Sequence, residues 1–129
     1  MDARGDTIVV WREAAPTGGA GAIWARIRPA GRGWGSARTI PGTGGGPPSL
    51  AMDARGDALV AWQDKRGIEA AARPAGGPWQ KPHTVSVHER GGPGAGDDGL
   101  AALDARGDAL ATWQNGEGIK TAWHSSLFP

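Results

Sequence analysis

The chain has 129 residues, a mass of 13.2 kDa and a formal net charge of +1, with 14 basic and 13 acidic side chains interspersed along its length. Such interspersion supplies no basic stripe to release counterions from a phosphate backbone, which excludes nucleic acid as the expected partner. The absence of Cys excludes disulfide staples and thiolate metal sites, and is compatible with either a secreted or a cytosolic life.

Gly 23 and Pro 10 taken alone lean toward disorder, but 7 Trp and clean alternation between the glycines indicate a folded chain with many turns. The opening residues Met1-Asp2-Ala3-Arg4-Gly5-Asp6 are polar, not a basic segment leading into an apolar one, and no apolar run approaches the ~18 residues that span a bilayer. Neither a signal peptide nor a membrane span is therefore expected in this chain. The compartment stays open, a secreted or surface-attached parent included.

The first segment, Met1 to Trp11, returns as Met52 to Trp62 and again as Leu103 to Trp113, each time after 51 residues. A second block, Ile23 to Ile40 with Arg28-Pro29-Ala30-Gly31 and Trp34, returns as Ile68 to Val85 with Arg73-Pro74-Ala75-Gly76 and Trp79, after 45 residues. The difference sits in the Gly-rich stretch Thr17 to Gly21 and is compensated around Gly91 to Asp98. Length changes confined to Gly-rich junctions mark those junctions as surface loops.

Each unit reads as four short strands, which in the complete copy are Ser49 to Asp53, Ala58 to Gln63, Ile68 to Arg73 and Trp79 to Val87. The Asp-Ala-Arg-Gly-Asp between the first two predicts a tight hairpin. Asp2, Asp53 and Asp104 accept backbone N–H bonds there, while Gly5, Gly56 and Gly107 supply the positive φ of a bulge. The second strand is apolar on both faces (Ile8 to Trp11, Leu59 to Trp62), as expected of a strand covered from both sides.

A four-stranded meander cannot cover two faces by itself, so copies must stack face to face. Solenoid coils run about 20 to 30 residues and propeller blades about 40 to 50, and a β-sandwich gives no reason for a strict 51-residue echo. The expected fold is all-β: about 2.5 β-propeller blades in an incomplete ring, with residues 1–47 a blade lacking its first strand, 48–98 a complete blade and 99–129 a blade lacking its last strand. Rings close with about four to eight blades. Completion is therefore expected from further blades of a parent chain, the reading favoured here, or from a homo-oligomer.

The pattern Asp-x-x-Gly-Asp-Ala-(aliphatic)-x-x-Trp-Gln, then Ile-x-Ala-x-x-Arg-Pro-Ala-Gly, then Trp-x-x-Pro-x-Thr-(aliphatic) resembles repeats of bacterial, often actinobacterial, propeller-like proteins. It is similar in style to NHL repeats and to sialidase-type Asp-box blades. The Ser/Thr and the Asp-x-Gly spacing of the Asp box are absent, so the resemblance implies no sialidase active site.

Candidate site residues divide between packing and binding. Trp11, Trp62 and Trp113 end the most apolar strand at one phase, which favours core over sugar-stacking platforms; Trp34 and Trp79 are expected as packing anchors. Trp24 has Glu69 and Lys120 as equivalents, so it is expected to face solvent and is the better ligand candidate. Arg28, Arg73 and His124 share a position at a strand end, where they would bind carboxylates or sulfates, or simply be solvated, the favoured reading. Arg12, Gln63 and Gln114 follow the core Trp and are candidates for a ligand-facing rim, or for hydrogen bonding to loop backbone.

The thrice-repeated Arg-Gly-Asp is explained by the turn itself. Asp97 and Asp98, with Glu89, fall short of the ~6 to 8 oxygens of a calcium cage, and His83, His88 and His124 lack metal spacing. No catalytic grouping, cofactor loop or metal site is legible. The expected function is a non-catalytic binding or scaffold module for a glycan or protein ligand. The alternatives are a fragment of a propeller hydrolase and a self-assembling repeat.

Overall fold

The computed structural model describes residues 1–18, 21–42, 44–64, 67–87, 100–104, 106–115 and 118–124, and among them it is all-β. In the first sheet, β1 (Thr7–Glu13), β2 (Ala22–Arg28) and β3 (Arg38–Thr39) run in that order. The central sheet is β4 (Ser49–Met52), β5 (Ala58–Asp64), β6 (Gly67–Arg73) and β7 (His83–Val87), also in chain order. The last sheet places β9 (Ala109–Asn115) between β8 (Leu100–Leu103) and β10 (Gly118–His124). Every pairing is antiparallel, and no sheet closes on itself among the described residues.

Strand β5 shows why the sheets stack. Its register with β6 puts Val60 opposite Ala71 and Trp62 opposite Glu69 on one face, and Leu59 opposite Ala72 and Ala61 opposite Ala70 on the other. The first face joins Ile23, Ala25 and Ile40 of the first sheet in one buried cluster. The second joins Ala109 of the last sheet, with Ala101 and Leu103 packed alongside. The central sheet is thus covered front and back, and both faces repay burial at roughly 25 cal/mol per Å² of apolar surface. β6 is buried at all seven positions, and its run of Ala70, Ala71 and Ala72 lets neighbouring sheets approach without side-chain collision.

Backbone contacts stitch successive repeats at the hairpin end. Ala3 N donates to Ala54 O at 3.1 Å, and Arg4 Nη2 to Arg55 O at 3.0 Å. Between the central and last sheets, Ala101 N donates to Ser49 Oγ at 3.0 Å, so β4 and β8 lie close together.

Strand boundaries of the complete unit differ from the sequence reading in four places, two of them by one added residue, Asp64 at the end of β5 and Gly67 at the start of β6. The first strand of the complete unit ends at Met52, because Asp53 already belongs to the turn, with its amide bonded to Asp57 O at 2.9 Å. The fourth starts at His83, not at Trp79. Pro78 and Pro82 carry no N–H for a ladder, and the intervening segment makes one bond back, from Gln80 N to Ala72 O at 2.8 Å. A register shift between Ile68 and Glu69 adds a bulge where β6 meets β7. The Gly91 to Asp98 stretch, with Glu89 and His88, lies outside the described residues.

Candidate functional site

The hairpin turns are the most regular local feature. Asp53 Oδ1 accepts from the amides of Arg55, Gly56 and Asp57 at 2.9, 2.9 and 3.0 Å, and Gly56 has φ +97°. Asp2 Oδ1 accepts from Arg4 N and Asp6 N, both at 2.9 Å, with Gly5 at φ +95°. Asp104 Oδ1 accepts from Arg106 N at 2.8 Å and Asp108 N at 3.0 Å, with Gly107 at φ +84°. Burial works to raise the pKa of Asp2. The bonds from the Asp6 amide, the Arg4 side chain and the Arg4 amide outweigh it and hold the carboxyl below its ordinary range. Asp104 is lowered by its bonds from the Asp108 and Arg106 amides.

The arginines of the first two Arg-Gly-Asp copies bend back onto their own turns. Arg4 Nη2 lies 3.1 Å from Asp2 and 3.4 Å from Asp6, and Arg55 lies 3.1 Å from both Asp53 and Asp57. The second aspartate of each turn has a further task, which the sequence reading missed. Asp6 Oδ1 accepts from Ala30 N at 2.7 Å, and Asp57 Oδ1 accepts from Ala75 N at 2.8 Å. Each ties the hairpin to the Pro-Ala-Gly turn of its own repeat. The signal was present as two echoes: Asp6 and Asp57 recur at one offset, Ala30 and Ala75 at the other.

Between the first and central sheets a cleft of about 550 Å³ opens. Ala25, Ile27 and Pro29 with Arg38 and Thr39 form one wall, and Arg73, Pro78 and Trp79 the other. Among the described residues neither Trp62 Nε1 nor Trp79 Nε1, both enclosed, has a hydrogen-bond acceptor. Arg73 is only 8 % exposed, and among the described residues its guanidinium makes no hydrogen bond or ion pair. Burial pulls its pKa down, and the charge of Asp6 works the other way. Reading Arg73 as a solvated strand end is therefore corrected: a second sheet covers it. Its equivalent Arg28, with no sheet over it among the described residues, is exposed and lies 5.5 Å from the centre of the Trp34 ring.

Trp62 is fully buried and Trp113 is buried, whereas Trp11 is half-buried on the outer face of the first sheet. There it stands opposite Trp24, with ring centroids 6.5 Å apart and planes 16° from parallel. The expectation that the Trp24 position faces solvent fails in the central sheet, at the equivalent Glu69. That side chain is 2 % exposed and accepts from Thr84 Oγ1 at 2.6 Å, because the first sheet covers that face of β6. Lys120 is exposed, Arg12 is exposed and Gln63 is half-buried. Gln114 stands opposite Ile119 in the β9–β10 register, but its side chain and that of His124 lie outside the described residues.

Among the described residues no three of His, Cys, Asp and Glu come together as a metal site, and no helix is long and apolar enough to cross a membrane. No protein-family model matches the chain, and no match was found among curated proteins or solved structures.

Proposed function

We propose that this chain is a propeller-type, non-catalytic binding or scaffold module that takes a glycan or protein ligand in the cleft between its first and central sheets. The observation that carries the reading is the cleft itself. It has one wall from each of two stacked repeats, and it sets an indole and a buried guanidinium among apolar residues. Sites for small ligands have this character: mostly apolar, concave, with a few polar groups that fix orientation, and of about 300 to 1,000 Å³.

The propeller geometry is supported by the way the sheets approach one another. The central and last sheets are joined at their leading strands β4 and β8, and stacked antiparallel meanders with strands in chain order are the unit from which blades build a ring.

Titration of the isotopically labelled chain with the sugars selected by a glycan array, and with the proteins recovered in pull-downs, tests the proposal. Shifts concentrated on Ala25, Ile27, Arg73 and Trp79 are expected. A blank array with blank pull-downs, or shifts confined to surfaces away from the cleft, would count against it.

A second reading, self-assembly, rests on a different observation. The outer face of the first sheet presents Val9, Trp11 and Trp24, and in the last sheet Ile119 is 78 % exposed. Apolar side chains left at both ends of a stack favour end-to-end contact between copies. Light scattering over a concentration series tests it: a mass that rises with concentration is expected, and a constant monomer mass overturns it.

A further inference from the structure

The cation in the cleft narrows the ligand class. Resting on the reading of the cleft as a ligand site, we infer that its occupant is a carboxylated sugar whose carboxylate pairs with Arg73 while a sugar face lies on Trp79.

Three observations lead there. Arg73 is nine-tenths buried, lines the cleft and has no hydrogen bond or ion pair among the described residues. Unlike the indole nitrogens of Trp62 and Trp79, its guanidinium nitrogens keep contact with solvent, so a largely covered cation stays open to an anion that enters the cleft. Asp6, whose negative charge acts on Arg73, is already engaged by Ala30 N and Arg4. Asp57 is held in the same manner by Ala75 N and Arg55.

The lining also carries two arginines and no carboxylate. Arg38 stands opposite Ala25 in the β2–β3 register, on the inner face of the first sheet, and lines the cleft across from Arg73, with Ser36 bordering the same space. Donors without carboxylates select an anion.

Shape then selects among anions. A planar carboxylate matches the guanidinium fork. Beside it, the Trp79 indole with Pro29, Pro41 and Pro78 offers flat apolar surface, which suits the C–H face of a pyranose better than an extended peptide in need of backbone partners.

The test is calorimetric titration of the full chain with methyl glucuronide, methyl glucoside and a short peptide with a free C-terminal carboxylate, followed in parallel by indole fluorescence. Methyl glucuronide is expected to bind at least about tenfold more tightly than the neutral glucoside, the scale of one charged hydrogen-bond pair. That preference should shrink with added salt and should be lost in Arg73→Gln. Arg28→Gln, at the equivalent exposed position, should leave it unchanged. If Arg73→Gln fails to fold, Arg38→Gln at the exposed rim and the comparison of the two sugars on the unmodified chain carry the same test.

Equal affinity for glucuronide and glucoside overturns the inference while leaving the cleft a glycan site. Binding of the peptide alone overturns the sugar class and keeps a protein ligand. Binding of none of the three overturns the inference, and blank array and pull-down results would then remove the ligand-site reading as well.

Discussion

Replacing Trp62 measures the coverage of the central sheet, because the same tryptophan recurs where that coverage is missing. Trp62 is fully buried among Val60, Ala71, Ile23, Ala25 and Ile40, residues drawn from two sheets. Trp62→Ala removes this filling and should cost about 3 to 5 kcal/mol, a large share of the ~5 to 15 kcal/mol that holds a domain folded. Trp11→Ala, at the equivalent position on an open face, should cost about 1 kcal/mol, since solvent already reaches the ring. Trp62→Phe adds a second comparison. It leaves a smaller void and removes an indole N–H that has no acceptor among the described residues, so relief of an orphaned donor, about 1 to 3 kcal/mol, offsets part of the cavity cost. Its net effect should stay within about 1.5 kcal/mol. Urea unfolding followed by far-UV circular dichroism gives all three values. Equal losses for Trp11→Ala and Trp62→Ala would refute the reasoning, because coverage by a neighbouring sheet would then make no difference.

Other expectations concern the turns. Gly5→Ala forces a left-handed backbone and should cost about 1 to 2 kcal/mol. Gly56→Ala should cost more, because its added Cβ would come within 2.9 Å of Asp2 Oδ2 and 3.1 Å of Arg4 Nη2; equal losses in chemical denaturation would deny the turn-to-turn contact. Asp57→Ala leaves Ala75 N without its acceptor and should cost about 1 to 3 kcal/mol in the same assay. The carboxyls of Asp2 and Asp104 are depressed in the folded chain. Their contribution is present above the unfolded value of about 3.9 and is lost as pH falls through the lower folded values. Melting temperature should drop over that acid window, and more shallowly in Asp104→Ala; identical slopes would show that this turn does not contribute.

What the sequence made legible was short-range or repeated. An aspartate followed three residues later by glycine has a local solution, and Asp53 with Gly56 adopts it without help from distant residues. Strand β5, apolar on both faces, announced two covering layers. What stayed hidden depended on which sheet lies over a residue. Arg28 and Arg73 sit in the same Arg-Pro-Ala-Gly stretch, yet one is exposed and the other is walled in, and no local pattern separates them. Trp24 and Glu69 divide in the same manner. Glu69 reads as a solvent residue by type, but its carboxylate, bonded to Thr84, lies beneath the first sheet. The late start of β7 follows from Pro78 and Pro82, which have no N–H to give the ladder. The cleft has walls from two repeats, so it belongs to neither repeat read alone.

The account depends most on a central sheet covered on both faces, and amide hydrogen exchange on the dilute chain tests this most directly. Residues 58–61 of β5 and their equivalents 109–112 of β9 each pair with a strand on both sides, so their hydrogen bonding is alike. They differ in how many of their faces a neighbouring sheet covers. Exchange in β5 at least about tenfold slower than in β9 is predicted, since opening β5 must also separate two sheet interfaces. Equal protection of the two strands would contradict the stacked arrangement.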